Sequence, residues 1–152
     1  MKVEDLMTSN VKACGPESSL AEVAELLWEN DCGVLPVIDQ TGRVEGAITD
    51  RDIAIAVCTK DRLASDIKVG EVMTREVLTV TRDEDIKSAL KKMGEARVRR
   101  LPVVEDGLLC GILSMNDVVL RAGRSQTDYS NDDIVKTFKA ICQHNITRAA
   151  VR

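Results

Sequence analysis

The chain repeats itself, and the repeat limits the folds open to it. Met7-Thr8 recurs as Met73-Thr74, Val11 as Val77 and Leu35-Pro36-Val37 as Leu101-Pro102-Val103, each pair 66 positions apart. Gly46-Ala-Ile-Thr-Asp-Arg-Asp52 recurs as Gly111-Ile-Leu-Ser-Met-Asn-Asp117, now 65 positions apart. The single missing residue falls in the turn after Asp39, where a chain tolerates a change of length. A register held this long identifies two copies of one structural unit. Each copy, at about 60 residues, is marginal for a core of its own, and packing the two copies together supplies the missing burial.

Both copies follow one grammar. A short amphipathic piece (Val3–Met7, Val69–Met73) leads into a strand-like run (Val11–Cys14, Val77–Val80). A helix follows. In copy one Gly15-Pro16 is the expected start, since proline is tolerated in a first turn. In copy two Thr81-Arg-Asp-Glu84 reads as a capping box. The apolar stripes are Leu20, Val23, Ala24, Leu27 and Ile86, Ala89, Leu90, Met93, at helical spacing. Two strands then form a hairpin around Gln40-Thr-Gly42 or Asp106-Gly107: Val34–Ile38 with Val44–Ile48, and Leu101–Val104 with Leu108–Leu113. Thr49 and Ser114 sit at the junction with a last helix, giving β-α-β-β-α per copy. The expected fold is mixed α/β (α+β), two tandem repeats packed as a pseudo-twofold module. The divisions are repeat one at 1–60, a linker at 61–68, repeat two at 69–121, and a linker with a C-terminal helix and tail at 122–152. In that tail, Ser130–Cys142 has capping residues and an apolar stripe of Ile134, Phe138 and Ile141; the final "HNITRAAVR" reads as weakly ordered.

Composition removes several function classes. With one Trp, one Tyr and one Phe, the chain has no aromatic platform for stacking bases. A net charge of −4 argues against a phosphate-backbone binder, and the Arg97–Arg100 run is weak support for nucleic acid. The first residues lack a signal-peptide pattern, and no apolar run is long enough to span a membrane, so the expected location is cytoplasmic. Five scattered cysteines read as reduced and mostly buried, and with His144 as the single histidine a zinc site has little support. Cys142-x-His144 is too sparse a pattern to define a redox or metal feature. No nucleophile–base constellation can be placed, so the chain reads as non-enzymatic.

A β-α-β-β-α repeat with Met-Thr near its start, Leu-Pro-Val before the hairpin and Gly-x-x-[Thr/Ser]-x-x-Asp at its end resembles the CBS domain (cystathionine-beta-synthase-type domain). Two in tandem resemble a CBS pair, or Bateman module, here in the layout of the standalone bacterial CBS-pair proteins. The resemblance covers roughly residues 1–121. It implies a regulatory sensor that binds an adenosyl ligand (AMP, ADP, ATP, S-adenosylmethionine or an NAD-type dinucleotide) in clefts between the repeats. No cofactor for catalysis is implied. The expected assembly is a homodimer, with an effector protein acted on in trans because the chain carries no output domain.

Read from the residues alone, Thr49…Asp52 and Ser114…Asp117 are helix caps. A cap can also serve a ligand: a hydroxyl and free helix amides suit phosphate, and a carboxylate can accept from a ribose diol. The family pattern reads Asp52 and Asp117 as ribose ligands and Thr49 and Ser114 as phosphate contacts. It also carries a basic residue before the Leu-Pro, which here falls on Arg99 or Arg100. Copy one has Gly33 and Val34 there, and its basic candidate is Arg51, where copy two has Asn116. Apolar walls for an adenine fall at Val11, Ala13, Val34 and Pro36 in copy one and at Val77, Thr79, Leu101 and Pro102 in copy two. A rival reading is a ligand-independent dimerisation or protein-interaction module.

Overall fold

The computed structural model describes residues 1–124 and 127–143. Repeat one contains α1 (Leu20–Glu29), β1 (Val34–Ile38), β2 (Val44–Thr49) and α2 (Asp50–Lys60). Repeat two contains β3 (Val80–Thr81), α3 (Ile86–Ala96), β4 (Arg100–Glu105), β5 (Leu108–Ser114) and α4 (Met115–Arg121), and α5 (Asn131–Cys142) follows. The hairpins form as expected: β1 pairs antiparallel with β2, β4 with β5, and β3 lies parallel to β4. Helices cover one face of each small sheet, a mixed α/β arrangement.

Strand alternation explains why two faces of each hairpin differ. Leu35, Val37 and Ile48 point into one core, and Leu101, Val103 and Leu113 into the other. Successive side chains point to opposite faces, so Val34, Pro36, Ala47 and Thr49 face the other way, as do Arg100, Pro102, Ile112 and Ser114. That second face forms the clefts.

The two cores do not coincide with the two repeats. The leading turn of repeat one, a 3-10 turn at Val3–Asp5, places Val3 in the core of repeat two, with Leu6 and Met7 packed against it. The leading turn of repeat two, Val69–Glu71, places Val69 and Met73 in the core of repeat one. Each Met-Thr pair then crosses the other repeat's hairpin. Thr8 exchanges backbone hydrogen bonds with Ile112 (2.9 and 3.0 Å), and Thr74 with Ala47 (3.0 and 2.9 Å). A Cβ on Gly46 would stand 2.5 Å from the Thr74 carbonyl oxygen, and one on Gly111 would stand 2.9 Å from that of Thr8. The repeated glycines and the repeated Met-Thr pairs thus explain each other. The span 61–68 takes part as well, since Ile67 is buried in the first core.

Some local expectations are corrected. The helix α1 begins at Leu20, four residues after Pro16, because Ser19 and Glu22 form a reciprocal capping box that satisfies two exposed amides at once. In copy two Thr81 closes β3 and bonds Asp83, while Asp85 caps α3; Glu84 accepts instead from Ser88 and Lys92. The run Val11–Cys14 is not a strand and makes a single parallel bridge, Cys14 with Val37. Ala24 is exposed, so α1 buries Leu20, Val23 and Leu27 alone, while α3 buries all four residues of its stripe. Of the cysteines Cys14 is buried, Cys32 and Cys110 are half-buried, and Cys58 and Cys142 are exposed. Burial pushes the Cys14 thiol up to about 11.

The helix α5 forms as the sequence predicts, with Ser130 and Asp133 as its capping box. It packs on α3 and sends Ile134 into the core of repeat two, with Phe138 and Ile141 against that core. Tyr129, just before it, is buried and donates its hydroxyl to the Val118 carbonyl at 2.7 Å. Residues 144–152, including His144, lie outside the described residues.

Candidate functional site: two clefts at the repeat junction

The two hairpins meet across a pair of clefts. The Asp52 cleft, about 780 Å³, is lined by Thr49, Arg51 and Asp52 of repeat one and by Thr74, Val77, Arg97, Arg99, Arg100 and Pro102 of repeat two. The Asp117 cleft, about 320 Å³, is lined by Ser114, Asn116 and Asp117 of repeat two and by Thr8, Val11, Lys12 and Val34 of repeat one. Each cleft therefore takes its carboxylate from one repeat and its opening segment from the other. This crossing follows from the exchanged leading turns. Val34, Pro36, Arg100 and Ile112 line both clefts.

The caps are built as predicted. Asp52 Oδ2 accepts from the Thr49 amide (2.9 Å) and hydroxyl (2.8 Å), and Asp117 Oδ2 accepts from the Ser114 amide (2.7 Å) and hydroxyl (2.6 Å). Both carboxylates are half-buried, and each is anchored through Oδ2. A carboxylate anchored through one oxygen keeps acceptor sites on the other.

The same geometry changes the reading of Thr49 and Ser114. Each hydroxyl donates its one proton to its Asp and accepts the Asp amide, at 3.2 and 3.3 Å. Contact with a phosphate requires breaking the cap. The helix amides are also engaged. In α2 the amides of Asp50, Arg51 and Asp52 donate to the Gly33 carbonyl, Asp50 Oδ1 and Thr49 Oγ1. In α4 those of Met115 and Asp117 donate to the Arg99 carbonyl and Ser114 Oγ. The expected nest of free amides is absent from α2, because nearby oxygens satisfy it. Cationic side chains also line both clefts. Arg51, Arg97, Arg99 and Arg100 line the first cleft and Lys12 and Arg100 the second.

Of the apolar candidates, Val11, Val34, Pro36, Val77 and Pro102 line one cleft or both. Leu101 faces the core instead, and Ala13 and Thr79 line neither cleft. The sequence reading missed Thr8, Lys12, Thr74, Ala47 and Ile112. The Met-Thr repeat and the matched positions before Ile48 and Leu113 carried that signal, but only once the crossing of the two copies is known. Among the described residues no three of His, Cys, Asp or Glu cluster to hold a metal ion. No helix among them is long and apolar enough to cross a membrane.

A CBS-domain profile matches residues 3–58 and 69–123, and the chain belongs to the CBS-domain family as a tandem pair. It is 31% identical over 138 residues to the CBS domain-containing protein YhcV of Bacillus subtilis, covering 87% of this chain and 97% of that one. Its structure is similar to the CBS domain pair of protein MJ0100 in complex with 5′-methylthioadenosine and S-adenosyl-L-methionine. There the TM-score is 0.72 at 28% identity, over 79% of this chain and 94% of that one. It is also similar to CBSX2 in complex with AMP, with a TM-score of 0.67 at 33% identity, over 78% and 93% of the two chains.

Proposed function

We propose that the chain is a non-enzymatic regulatory module that binds an adenosyl ligand in the clefts at its repeat junction and signals to a partner in trans. One observation carries this reading: each cleft is lined by a carboxylate anchored through one oxygen, beside apolar walls and cations. Asp52 and Asp117 accept the ribose diol. Val77 and Pro102, or Val11 and Pro36, face the adenine. Arg51, Arg99 and Arg100 in one cleft, and Arg100 with Lys12 and Asn116 in the other, receive phosphate or another anionic group. A complex with AMP and one with S-adenosylmethionine among similar structures support this ligand class.

A ligand that touches both repeats favours the inter-repeat arrangement in which both sets of contacts are made, and so shifts the population of states a partner reads. Exposed apolar residues at matched positions of α2 and α4, Ile55 and Leu120, with Trp28 of α1 87% exposed, support a homodimer through these helices. The same residues would serve a module that binds no ligand, and ligand binding separates the two readings. Thermal shift with AMP, ATP, S-adenosylmethionine and NAD is the test. A ligand at roughly 100 times its Kd adds about 2.7 kcal/mol. Asp52→Ala and Asp117→Ala should each remove one site. No shift with any of the four at millimolar concentration overturns the proposal.

A further inference from the structure

The two clefts share one charged side chain. Arg100 begins β4, opposite Ser114 in the ladder, and projects from the face opposite Leu101 and Val103, which lie in the core. Its counterpart Val34 begins β1 opposite Thr49 and lines both clefts too. Of the residues common to both clefts, three are apolar and Arg100 is the cation. None of the salt bridges among the described residues involves Arg100. A guanidinium binds phosphate best as a planar two-pronged fork, and one side chain holds one such geometry at a time. The clefts also differ in what else they offer. The Asp52 cleft has Arg51, Arg97 and Arg99 besides, whereas the Asp117 cleft has Lys12.

We propose that Arg100 is a single anion-binding arm shared by the two clefts, so that phosphate-bearing ligands in the two clefts weaken each other's binding. The proposal rests on the adenosyl-ligand reading above and adds its regulation. It assigns different preferences to the clefts: the Asp52 cleft, with three further arginines, takes a phosphorylated nucleoside, and the Asp117 cleft takes an adenosyl ligand without phosphate undisturbed. The coupling is reciprocal, as linkage requires.

The test is isothermal titration of the full chain with AMP and with adenosine. Asp52→Ala and Asp117→Ala give the affinity of each cleft with the other disabled. In the unaltered chain the second AMP should bind about five- to tenfold more weakly than in the matching single-site variant, a coupling of ordinary size. Two adenosines should show no such weakening. Arg100→Gln should abolish the AMP coupling and weaken AMP more in the Asp117 cleft, with adenosine unchanged. Arg100→Lys, which keeps the charge, should retain part of the coupling, which excludes a folding defect as the cause. Two AMP molecules binding the unaltered chain with the single-site affinities would overturn the proposal while leaving the adenosyl reading intact. Absence of binding by both AMP and adenosine would overturn this proposal, and the adenosyl reading falls with it only if ATP, S-adenosylmethionine and NAD also fail to bind.

Discussion

Across the Asp52 cleft four arginines stand against three acids, whereas across the Asp117 cleft Lys12 and Arg100 stand against two. The frames around these charges are nearly the same: a capped carboxylate, a crossing Thr, a proline and an antiparallel hairpin. What differs lies on the side chains that the frame leaves free. On β1 and β4 the core-facing residues repeat, as Leu35 and Val37 do in Leu101 and Val103. At the clefts Thr8, Val11, Pro36 and Asp52 repeat as Thr74, Val77, Pro102 and Asp117, while Val34 stands against Arg100 and Arg51 against Asn116. A solvent-filled cleft accepts such changes of size and charge, so duplicated architecture can carry two ligand preferences.

The comparison is open to challenge at several strengths. The largest expected effect is at the crossings. Gly46→Ala drives a methyl into the Thr74 carbonyl and should cost about 3 kcal/mol in urea unfolding. Gly111→Ala, with more room, should cost about 2 kcal/mol; equal costs would mean that the two crossings are equally tight. Next come the leading turns. Val3→Ala and Val69→Ala should each cost roughly 2 kcal/mol, and hydrogen exchange should quicken in the opposite repeat, in β5 for Val3→Ala and in β2 for Val69→Ala. Acceleration within the variant's own repeat would contradict the exchange of turns. Removing a cap hydroxyl, Thr49→Ala or Ser114→Ala, should cost about 1 kcal/mol each, measured by thermal unfolding.

The smallest effect is a pH dependence peculiar to the first core. Glu71 closes its leading turn by accepting from Arg62 at 2.8 Å and from the Lys68 amide at 3.0 Å. The hydrogen bond from the Arg62 guanidinium, first, and that amide hold its carboxyl down at about 2, below the ordinary 4.5. A depressed folded-state value means that this contribution is complete above pH 4.5 and is lost as pH falls towards 2. Both side chains are well exposed to solvent, so the effect is a change of slope. Glu71→Gln and Arg62→Gln should flatten stability over that acid range; an unchanged slope in either would show that the pair contributes nothing there.

Much of this architecture was legible in the residues. The repeat named the copies, the alternation in Leu35–Val37 and Leu101–Val103 separated core from cleft, and Thr49…Asp52 and Ser114…Asp117 fixed the last helix starts. What the sequence hid was relational. Val11 belongs with Asp117 and Val77 with Asp52, yet nothing local to either stretch says so, because the crossing is a long-range packing event. Competition among caps hid the rest. Pro16 and Thr81 are good start signals, but Ser19 with Glu22 and Asp85 lie nearer the first buried residue of each helix, and burial of Leu20 and Ile86 selects them. The amides of α2 looked available to an anion until neighbouring oxygens were placed in space.

The exchanged turns also set an order of assembly. As the chain leaves the ribosome the first core can close once Met73 has emerged, but Thr8 must wait for Ile112 before it finds its partner strand. Until then Val3 and Met7 are apolar side chains without a home, and such long-range closure is intrinsically slow. A single repeat made alone would meet the same difficulty permanently. In the folded chain its leading turn lies in the other core, so two lone copies can complete each other by trading turns, a dimer built from the contacts that here join the halves of one chain.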